Sequence, residues 1–368
     1  MRIVQIANFY GPSSGGLRTT LDALGRGYVR AGHDRVLIVP GARRRWVRDA
    51  VDGLRVTLPG LPVGGGYRVL LSPRGVAELL RRLAPDSVEV SDKLTAVRAA
   101  GWARARGVRT VLLSHERIDA ILAPRVPEWV PLRSLADGWN RRLVSGFDAV
   151  VATSAFSGAE FARVAAPALH RVPLGVDLEV FAPSAGRPGG GGGVRLVYAG
   201  RLSAEKYPHL PVDTLRVLAR HGVDARLDVL GDGPERHRLE RRAAGLAVRF
   251  HGHVPDRRAV ARLTARADVA LVPCPVESFG LSALEALACG TPVVTAAAGA
   301  ARELLVPGAG LAVPTSPLAM ADAVTAVLAE PEERRRAVAR ARAEQFPWSR
   351  TVAGMLAVHA VGCRLPKR

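Results

Sequence analysis

The most informative segment of this sequence is Val272-Pro-Cys-Pro-Val-Glu-Ser-Phe-Gly-Leu-Ser-Ala-Leu-Glu-Ala-Leu-Ala-Cys-Gly-Thr-Pro-Val-Val294. It continues a short apolar run, Val269–Val272, which predicts a buried strand. A loop follows, and then a helix that runs to Cys289 and ends at a glycine. We expect Ser282 to be the N-cap of this helix, with Glu285 at the third helical position completing a capping box.

Two carboxylates of this segment, Glu277 and Glu285, are then predicted near the carboxyl end of a strand. In open parallel sheets, ligands bind at that edge. The free N–H groups of the helix N-terminus suit a phosphate, and ionised glutamates accept hydrogen bonds from sugar hydroxyls. An isolated pair of this kind is more often a capping residue and a solvated loop carboxylate.

The whole segment is more specific than its two carboxylates, because it resembles the Glu-x7-Glu signature of the retaining glycosyltransferases of family 4. The resemblance implies an α/β fold of the GT-B type, with two Rossmann-like domains facing across a deep cleft. It implies a nucleotide-sugar donor, with Glu277 on the sugar hydroxyls and Glu285 on the ribose. It also assigns to donor binding the residues around the helix start, Ser278, Phe279, Gly280 and Leu281.

Composition places limits on the class of protein. A chain of 368 residues suggests two domains. The three cysteines show no pairing or metal-binding pattern and predict a cytoplasmic protein. The chain opens into a strand rather than a signal peptide, and no run approaches the roughly 18 apolar residues of a membrane span. We therefore expect a cytoplasmic enzyme, with a peripheral position on the inner face of the plasma membrane as an open alternative.

The formal net charge of +19 favours anionic partners such as nucleotide sugars or anionic lipids. Nucleic acid is not expected, since no helix-turn-helix, zinc finger or aromatic-rich basic ribbon is found. Three basic stretches with apolar residues, Gly41–Arg48, Tyr67–Leu83 and Arg125–Arg142, could contact an anionic membrane. For Tyr67–Leu83 an ordinary amphipathic helix with a solvated basic face is somewhat favoured, and Arg125–Arg142 has the same ambiguity.

The first half of the chain alternates β-rich runs with helical patterns, which predicts a parallel α/β sheet. The expected strands are Ile3–Ala7, Val36–Val39, Arg55–Leu58, Ser87–Val90, Thr110–Leu113 and Ala149–Thr153. The glycine-rich loop before the first helix contains Gly15 and Gly16, which either form a bare tight turn or let backbone N–H groups approach a phosphate. In family 4 enzymes this position lies near the donor diphosphate and sugar.

His115 follows the Thr110–Leu113 strand, where an isolated histidine would simply cap a loop. In family 4 the corresponding histidine contacts the donor sugar, and the resemblance assigns that role to His115. Arg117 and Asp119 are weaker candidates in the same loop.

In the second half, Arg201 and Lys206 follow the strand Val194–Gly200 and are either a diphosphate clamp or two solvated charges. They match the family motif G-R-L-x3-K, whose cations hold the donor phosphates. Gly231 matches a G-x-G-P loop near the nucleotide. His253 and Val254 match the F-x-G-x-V strand whose backbone reads the base.

Domain boundaries follow from the same resemblance. The expected acceptor domain is residues 1–173 with a returning C-terminal helix, 347–368, and the expected donor domain is 174–346. Residues 185–193 are glycine-rich and predict a surface loop before the first strand of the second domain.

The segments Asn8–Thr19, Val88–Asp92 and Ser114–Arg117 are similar to those of actinobacterial GDP-mannose-dependent α-mannosyltransferases that modify lipid carriers. This similarity implies GDP-mannose as donor and a phosphatidylinositol- or glycolipid-type acceptor. Retention is expected by front-face attack, with the leaving phosphate taking the acceptor proton. No Asp-x-Asp is present, so transfer without a metal or other cofactor is expected.

Two alternatives stay open at this point. One is a family 4 enzyme that uses a UDP-sugar or other nucleotide sugar with a soluble acceptor, such as a natural product or polysaccharide precursor. The other is a nucleotide-sugar-binding protein without turnover.

Overall fold

The computed structural model describes residues 1–11, 14–63, 67–93, 97–123, 126–127, 129–166, 168–184 and 193–361. The chain separates into two compact units, Met1–Leu174 with Trp348–Arg368, and Gly175–Pro347. The predicted glycine-rich loop at 185–193 lies outside the described residues except for Gly193.

The first unit is built on parallel strands connected by helices. Its strands are β1 (Arg2–Ile6), β2 (Asp34–Gly41), β3 (Arg45–Asp49), β4 (Gly53–Pro59), β5 (Leu61–Pro62), β6 (Arg68–Val69), β7 (Ser87–Val90), β8 (Arg109–Ser114), β9 (Ala149–Ala152) and β10 (Leu169–Arg171). Its helices before the second unit are α1 (Gly15–Arg30), α2 (Pro73–Leu83), α3 (Val97–Arg104), α4 (Ile118–Leu122), α5 (Leu132–Val144) and α6 (Ala155–Ala162).

The main sheet of this unit has the strand order β10-β9-β8-β7-β1-β2-β4-β3. All neighbours run parallel except β3, which pairs antiparallel with β4. The parallel sheet and its six expected strands are confirmed. The strand β3 was not predicted, because its side chains are exposed on both faces and leave no apolar alternation to detect.

The helix α2 decides between the two interpretations of the stretch Tyr67–Leu83. Its apolar residues are Val76, Leu79, Leu80 and Leu83, and all are buried in the core of the unit. Its basic residues Arg81 and Arg82 are exposed. The amphipathic-helix interpretation is confirmed, and this apolar face is not free to contact a membrane.

The second unit is a parallel α/β sheet flanked by helices. Its strands are β11 (Val194–Ala199), β12 (Ala225–Leu230), β13 (Val248–Gly252), β14 (Val269–Val272), β15 (Val293–Ala296) and β16 (Gly310–Val313). Its helices are α7 (His209–Arg220), α8 (Arg236–Arg242), α9 (Arg257–Ala265), α10 (Leu281–Ala288), α11 (Pro317–Ala329) and α12 (Glu332–Ala343). The strand order is β13-β12-β11-β14-β15-β16, with every pairing parallel.

The last helix, α13 (Trp348–Ala360), packs within the first unit. A Cβ placed on Gly27 of α1 would lie 2.2 Å from a methyl of Val352, so the two helices touch at that glycine. The Nε2 of His359 lies 3.1 Å from the Glu89 carboxylate on β7, which also accepts a hydrogen bond from Tyr28. This fully buried polar network fixes α13 against the sheet.

Each sheet has a point where the strand order reverses, and ligands of open α/β sheets bind outside the carboxyl ends of the strands there. In the second unit the reversal falls between β11 and β14, and in the first between β1 and β7. Within the described ranges, no helix is long and apolar enough to cross a membrane.

Candidate functional site

Four neighbouring strands of the second unit, β13, β12, β11 and β14, end at one edge of the sheet. The loops that follow them carry the residues predicted for donor binding: His253 and Val254 after β13, Gly231 after β12, Arg201 and Lys206 after β11, and Glu277 after β14. Segments far apart in the sequence are therefore aligned side by side. The fold brings together these donor-unit candidates at the carboxyl edge.

The closest contact in this group joins Lys206 and Glu277. The Nζ of Lys206 donates to Oε2 of Glu277 at 2.7 Å, and the two side chains are 33% and 18% exposed. Lys206 ends a 3₁₀ turn after β11, while Glu277 follows β14, so the pair spans the point where the strand order reverses. The N–H of Ala300 donates to the Glu277 carbonyl at 2.8 Å and holds that loop.

Burial disfavours the charged form of Lys206, but the adjacent Glu277 carboxylate, together with Cys274 and Glu205, outweighs it and raises the pKa of the Lys206 ammonium well above its usual range. Lys206 is therefore a permanent cation at the edge of the sheet. Arg201 is exposed at the start of the same loop, and its carbonyl accepts a hydrogen bond from Tyr198 at 3.0 Å. The Lys206–Glu277 pair and the exposed Arg201 of the same loop therefore provide two cations and one carboxylate at this edge, which could complement a phosphate joined to a sugar.

The helix α10 starts earlier than the sequence suggested. Its N-cap is Gly280, with φ of 96°, so the prediction of a Ser282 cap with a Glu285 capping box is wrong. The left-handed conformation suits glycine, and a Cβ here would lie 2.9 Å from the Cβ of Ala301. The first N–H groups of α10, beginning at Leu281, have no partner within the helix and lie in the loop region that carries Glu277.

The remaining signature residues differ in exposure. The side chain of Phe279 is buried at 5% exposure, so this residue offers the site its backbone rather than its ring. Ser278 and Leu281 are half-buried beside it. The predicted roles of these residues therefore rest on their position around the start of α10.

Glu285 is paired with an arginine that sequence reasoning missed. The Nη2 of Arg257, the first residue of α9, donates to Oε1 of Glu285 at 2.9 Å, and its guanidinium lies 5.0 Å from the centre of the Phe181 ring. Desolvation raises the pKa of the Glu285 carboxyl, and Arg257 opposes that rise. Arg257 could not be distinguished among the many arginines of the sequence.

Gly231 occupies a position that only glycine can take. Its φ is 144°, and a Cβ there would lie 1.9 Å from the carbonyl oxygen of Gly200. Its N–H donates to the Gly252 carbonyl at 2.8 Å, so it ties together the ends of β11, β12 and β13. Gly231 therefore lies between the end of β11, just before Arg201, and the end of β13, just before His253.

The strand β13 leads to an exposed His253 and a half-buried Val254. By contrast, His251 pairs through Nε2 with Asp228 at 2.6 Å. Among the described residues no group of three His, Cys, Asp or Glu side chains could hold a metal ion.

In the first unit, Gly15 and Gly16 are the first two residues of α1 and are exposed. A Cβ on Gly15 would meet nothing within 4 Å. The preceding Ser14 accepts a hydrogen bond from Gly11 N–H at 2.8 Å and so closes the loop on itself. Among the residues that the structure describes, none therefore fills the space beside Gly15 in the first turn of α1, at the carboxyl end of β1.

His115 follows β8 at the same edge, but β7 lies between β8 and β1, so the structure does not pair it with the two glycines. Desolvation lowers the pKa of His115 to about 4, with Lys93 adding to the shift and Glu89 opposing it. The imidazole is neutral at neutral pH. It can therefore exchange hydrogen bonds with a hydroxyl but does not carry a charge.

A buried ion pair supports the His115 loop and was not predicted. Lys93 pairs with Glu160, and its Nζ also donates to the Glu116 carbonyl at 2.6 Å. Glu160 accepts from Asn140 Nδ2 at 3.1 Å and from Ile118 N–H at 3.3 Å. The sequence offered one indication of a role for Lys93, which is that the chain contains very few lysines.

The two weaker candidates of this loop have structural partners. Arg117 donates to Asp119 at 2.7 Å, and Asp119 also pairs with Arg163 at 2.8 Å. These contacts connect α4 to the end of α6. The positions of Arg117 and Asp119 are therefore explained by these structural contacts, and neither residue needs a ligand as its partner.

Comparison with known proteins gives matches over both units of the chain. Residues 14–180 match the family described as Glycosyltransferase Family 4, and residues 191–344 match Glycosyl transferases group 1. The chain is 46% identical to a GDP-mannose-dependent alpha-(1-6)-phosphatidylinositol dimannoside mannosyltransferase of Mycobacterium tuberculosis, over 97% of this chain and 95% of that protein. It is 31% identical to a GDP-mannose-dependent alpha-mannosyltransferase of Mycolicibacterium smegmatis, over 93% and 92% of the two chains.

Solved structures agree at the level of fold. The sucrose-phosphate synthase of Thermosynechococcus elongatus superposes with a TM-score of 0.79, at 20% identity over 98% of both chains. This likeness confirms the predicted architecture of two Rossmann-like units.

Proposed function

Because the chain belongs to glycosyltransferase family 4, we propose that it transfers an α-mannosyl residue from GDP-mannose to a lipid acceptor of the phosphatidylinositol mannoside type. One observation carries this proposal: the 46% identity to a phosphatidylinositol dimannoside mannosyltransferase extends over nearly the full length of both proteins. The enzyme is a hexosyltransferase, and the donor and acceptor are the parts that experiment must test.

We assign donor binding to the second unit. Lys206 and Arg201 bind the diphosphate, and the free N–H groups at the start of α10 add partial positive charge. Glu277, only 2.7 Å from Lys206, accepts hydrogen bonds from the sugar hydroxyls. Because the sugar is bonded directly to the diphosphate, an ammonium and a carboxylate in contact can bind the two neighbouring parts of one donor.

The nucleoside end of the donor is assigned to the other loops of this edge. Glu285 receives the ribose hydroxyls, with Arg257 keeping its carboxylate in place. Gly231 lies near the nucleotide, and the backbone groups of His253 and Val254 bind the base. Ser278, Phe279, Gly280 and Leu281 complete the donor site around the helix start.

In the proposed reaction, the acceptor hydroxyl attacks the anomeric carbon on the face that the diphosphate leaves. The departing phosphate oxygen accepts the hydroxyl proton, so the configuration is retained without a protein nucleophile. Lys206, Arg201 and the α10 N-terminus stabilise the charge that grows on the diphosphate. The two cations and the helix dipole take the part that a metal plays elsewhere, and we propose metal-free transfer.

We assign the acceptor to the first unit, Met1–Leu174 with Trp348–Arg368, whose bounds differ by one residue from the predicted 1–173 and 347–368. The carboxyl edge of this unit also carries His115, to which we assign a contact with the donor sugar, and Gly15 and Gly16, which we assign to the donor diphosphate and sugar. With a pKa of about 4, His115 acts as a neutral hydrogen-bonding group. A lipid acceptor also implies a peripheral position on the membrane surface.

The donor can be tested by measuring the unfolding temperature with GDP, GDP-mannose, UDP and UDP-glucose, since a ligand of the folded state raises stability by mass action. GDP and GDP-mannose should stabilise the protein, and the uridine nucleotides should have little effect. Equal or greater stabilisation by the uridine nucleotides would refute the mannose assignment and leave the clamp intact.

A further inference from the structure

Unlike α2, the helix α5 presents apolar residues to solvent. Its inner side buries Ala136, Leu143 and Val144 in the core. On its outer side, Leu135 is 59% exposed and Trp139 is 43% exposed. Single exposed apolar residues are common, but two large ones on the same face of a helix that is already anchored by its other face are candidates for an interaction surface.

A second exposed tryptophan precedes this helix. Trp129, three residues before α5 begins, is 84% exposed, and Leu122 at the end of α4 is 37% exposed. We refer to Leu122, Trp129, Leu135 and Trp139 as the tryptophan patch. Tryptophan is strongly enriched where proteins meet the interface of a bilayer, because its ring is apolar and its N–H is polar.

The charge on α5 is positive, and the sequence also has one acidic residue, Glu128, next to Trp129. The helix contains Arg133, Arg141 and Arg142, all exposed, and Arg142 continues the stripe of Leu135 and Trp139 at spacings of four and three. The acidic residue of α5, Asp137, is neutralised by Arg163 at 2.7 Å. An anionic surface would therefore meet the arginines of α5 without an opposing charge from that helix.

The position of the patch within the first unit is also informative. The helix α4 begins shortly after the end of β8, so Leu122 lies on the side of the sheet where the strands end. His115 and Gly15 lie at the same edge. A bilayer in contact with the patch would meet the edge to which we assign the acceptor.

We propose that the tryptophan patch and the arginines of α5 form the membrane-docking surface of this protein, with an anionic bilayer as the occupant. This inference rests on the proposed function, because an enzyme that modifies a lipid acceptor must contact the membrane that contains it. The tryptophans enter the headgroup region, and the arginines bind anionic lipids. The helix lies on the bilayer and does not cross it.

The test is sedimentation with vesicles of phosphatidylcholine containing phosphatidylglycerol, an anionic lipid that is not the proposed acceptor. The wild-type protein should bind these vesicles at low salt and bind phosphatidylcholine alone much more weakly. Each arginine contributes about fivefold to such binding, so Arg133→Gln, Arg141→Gln and Arg142→Gln together should weaken it roughly a hundredfold. The pair Trp129→Ser and Trp139→Ser should weaken it by about tenfold or more.

The matched control removes the same charge from the second unit, by Arg238→Gln, Arg262→Gln and Arg334→Gln at side chains that are 71%, 62% and 73% exposed. This control should lose less than about fivefold. Unchanged unfolding temperatures would establish that the variants are folded. Equal losses in both triple variants, no binding by the wild type, or concentration-dependent self-association abolished by the tryptophan changes would each overturn the proposal.

Stabilisation by GDP is measured on the same variants. It does not depend on the bilayer, so failure of docking with intact GDP binding leaves the proposed donor standing. If the wild-type protein binds the vesicles but is not stabilised by GDP, the proposed function is contradicted and the docking surface is not.

Discussion

The contact between Lys206 and Glu277 leads to a prediction that separates the roles of the two residues. Replacing Lys206 by methionine keeps most of its apolar stem but removes the ammonium that lies 2.7 Å from the carboxylate. A hydrogen bond to a charged group is worth about 1.5–3 kcal/mol, and partial exposure of both side chains favours the lower half of that range. At about 1.4 kcal/mol per tenfold, GDP should bind roughly 10–30-fold more weakly.

The same argument gives the opposite sign for Glu277→Gln. GDP has no sugar, so it loses no contact with Glu277, and it gains from the removal of a negative charge beside its phosphates. We expect GDP to bind at least as tightly as to the wild type, while turnover of GDP-mannose falls by about a hundredfold or more. Adding Glu277→Gln to Lys206→Met should restore part of the lost GDP affinity.

Titration calorimetry of GDP with the two single variants and the double variant measures each step of this cycle. Arg334→Ala is the control, since it removes an exposed charge from α12, away from the carboxyl-edge loops. The reasoning is refuted if Lys206→Met changes the GDP dissociation constant by less than about threefold, or if Glu277→Gln weakens GDP as much as Lys206→Met does.

Three further predictions concern stability. Gly231→Ala should lower the free energy of unfolding by about 2–4 kcal/mol, because its Cβ would lie 1.9 Å from the Gly200 carbonyl oxygen. As the control, Gly101→Ala should be neutral or slightly stabilising, since a Cβ at Gly101 would meet no described atom within 4 Å, and urea denaturation measures both variants. His359→Leu leaves the Glu89 carboxylate buried without its imidazole partner and should cost about 3–5 kcal/mol in the same assay, while a loss below about 1 kcal/mol would contradict the network. The pKa of His115 is about 4 in the fold and 6.5 for an unperturbed imidazole, so between these values the unfolded chain binds more protons, and the stability from this residue is present above pH 6.5 and lost as pH falls towards 4. Between pH 7 and pH 4.5, the free energy of unfolding should therefore fall less in His115→Asn than in the wild type, with a difference of up to about 3 kcal/mol. Equal losses in the two proteins would contradict this prediction.

Much of the fold was predictable because its strands are short apolar runs separated by glycine- and proline-containing loops. The strands β9 and β14 are buried along their whole length, and both consist entirely of apolar residues. Once the strands are parallel, the residues that follow them must share one edge. The grouping of Arg201, Lys206 and Glu277 follows from that rule.

What the sequence could not provide was the pairing of side chains across elements. The salt bridge from Arg257 to Glu285 and the ion pair of Lys93 and Glu160 join residues far apart in the chain, and no local pattern identifies such partners. The N-cap of α10 was misplaced because Ser282 has a favoured capping side chain, whereas Gly280 begins the helix through its backbone conformation.

The basic stretches also could not be told apart from the sequence alone. In Tyr67–Leu83 and Arg125–Arg142 the sequence has apolar and basic residues at similar spacing. Burial distinguishes them, since α2 covers its apolar residues with the core and α5 leaves Leu135 and Trp139 exposed. Tertiary packing determines which face of a helix remains for a partner.

The most direct test of the proposed function is transfer of labelled mannose from GDP-mannose to phosphatidylinositol mannoside lipids by the purified protein. Label should appear in the extracted lipid as an α-linked mannose, shown by its anomeric signal, and should be lost in Lys206→Met. Label that stays in the aqueous phase, a β-linked product, or transfer from UDP-sugars in place of GDP-mannose would contradict the account.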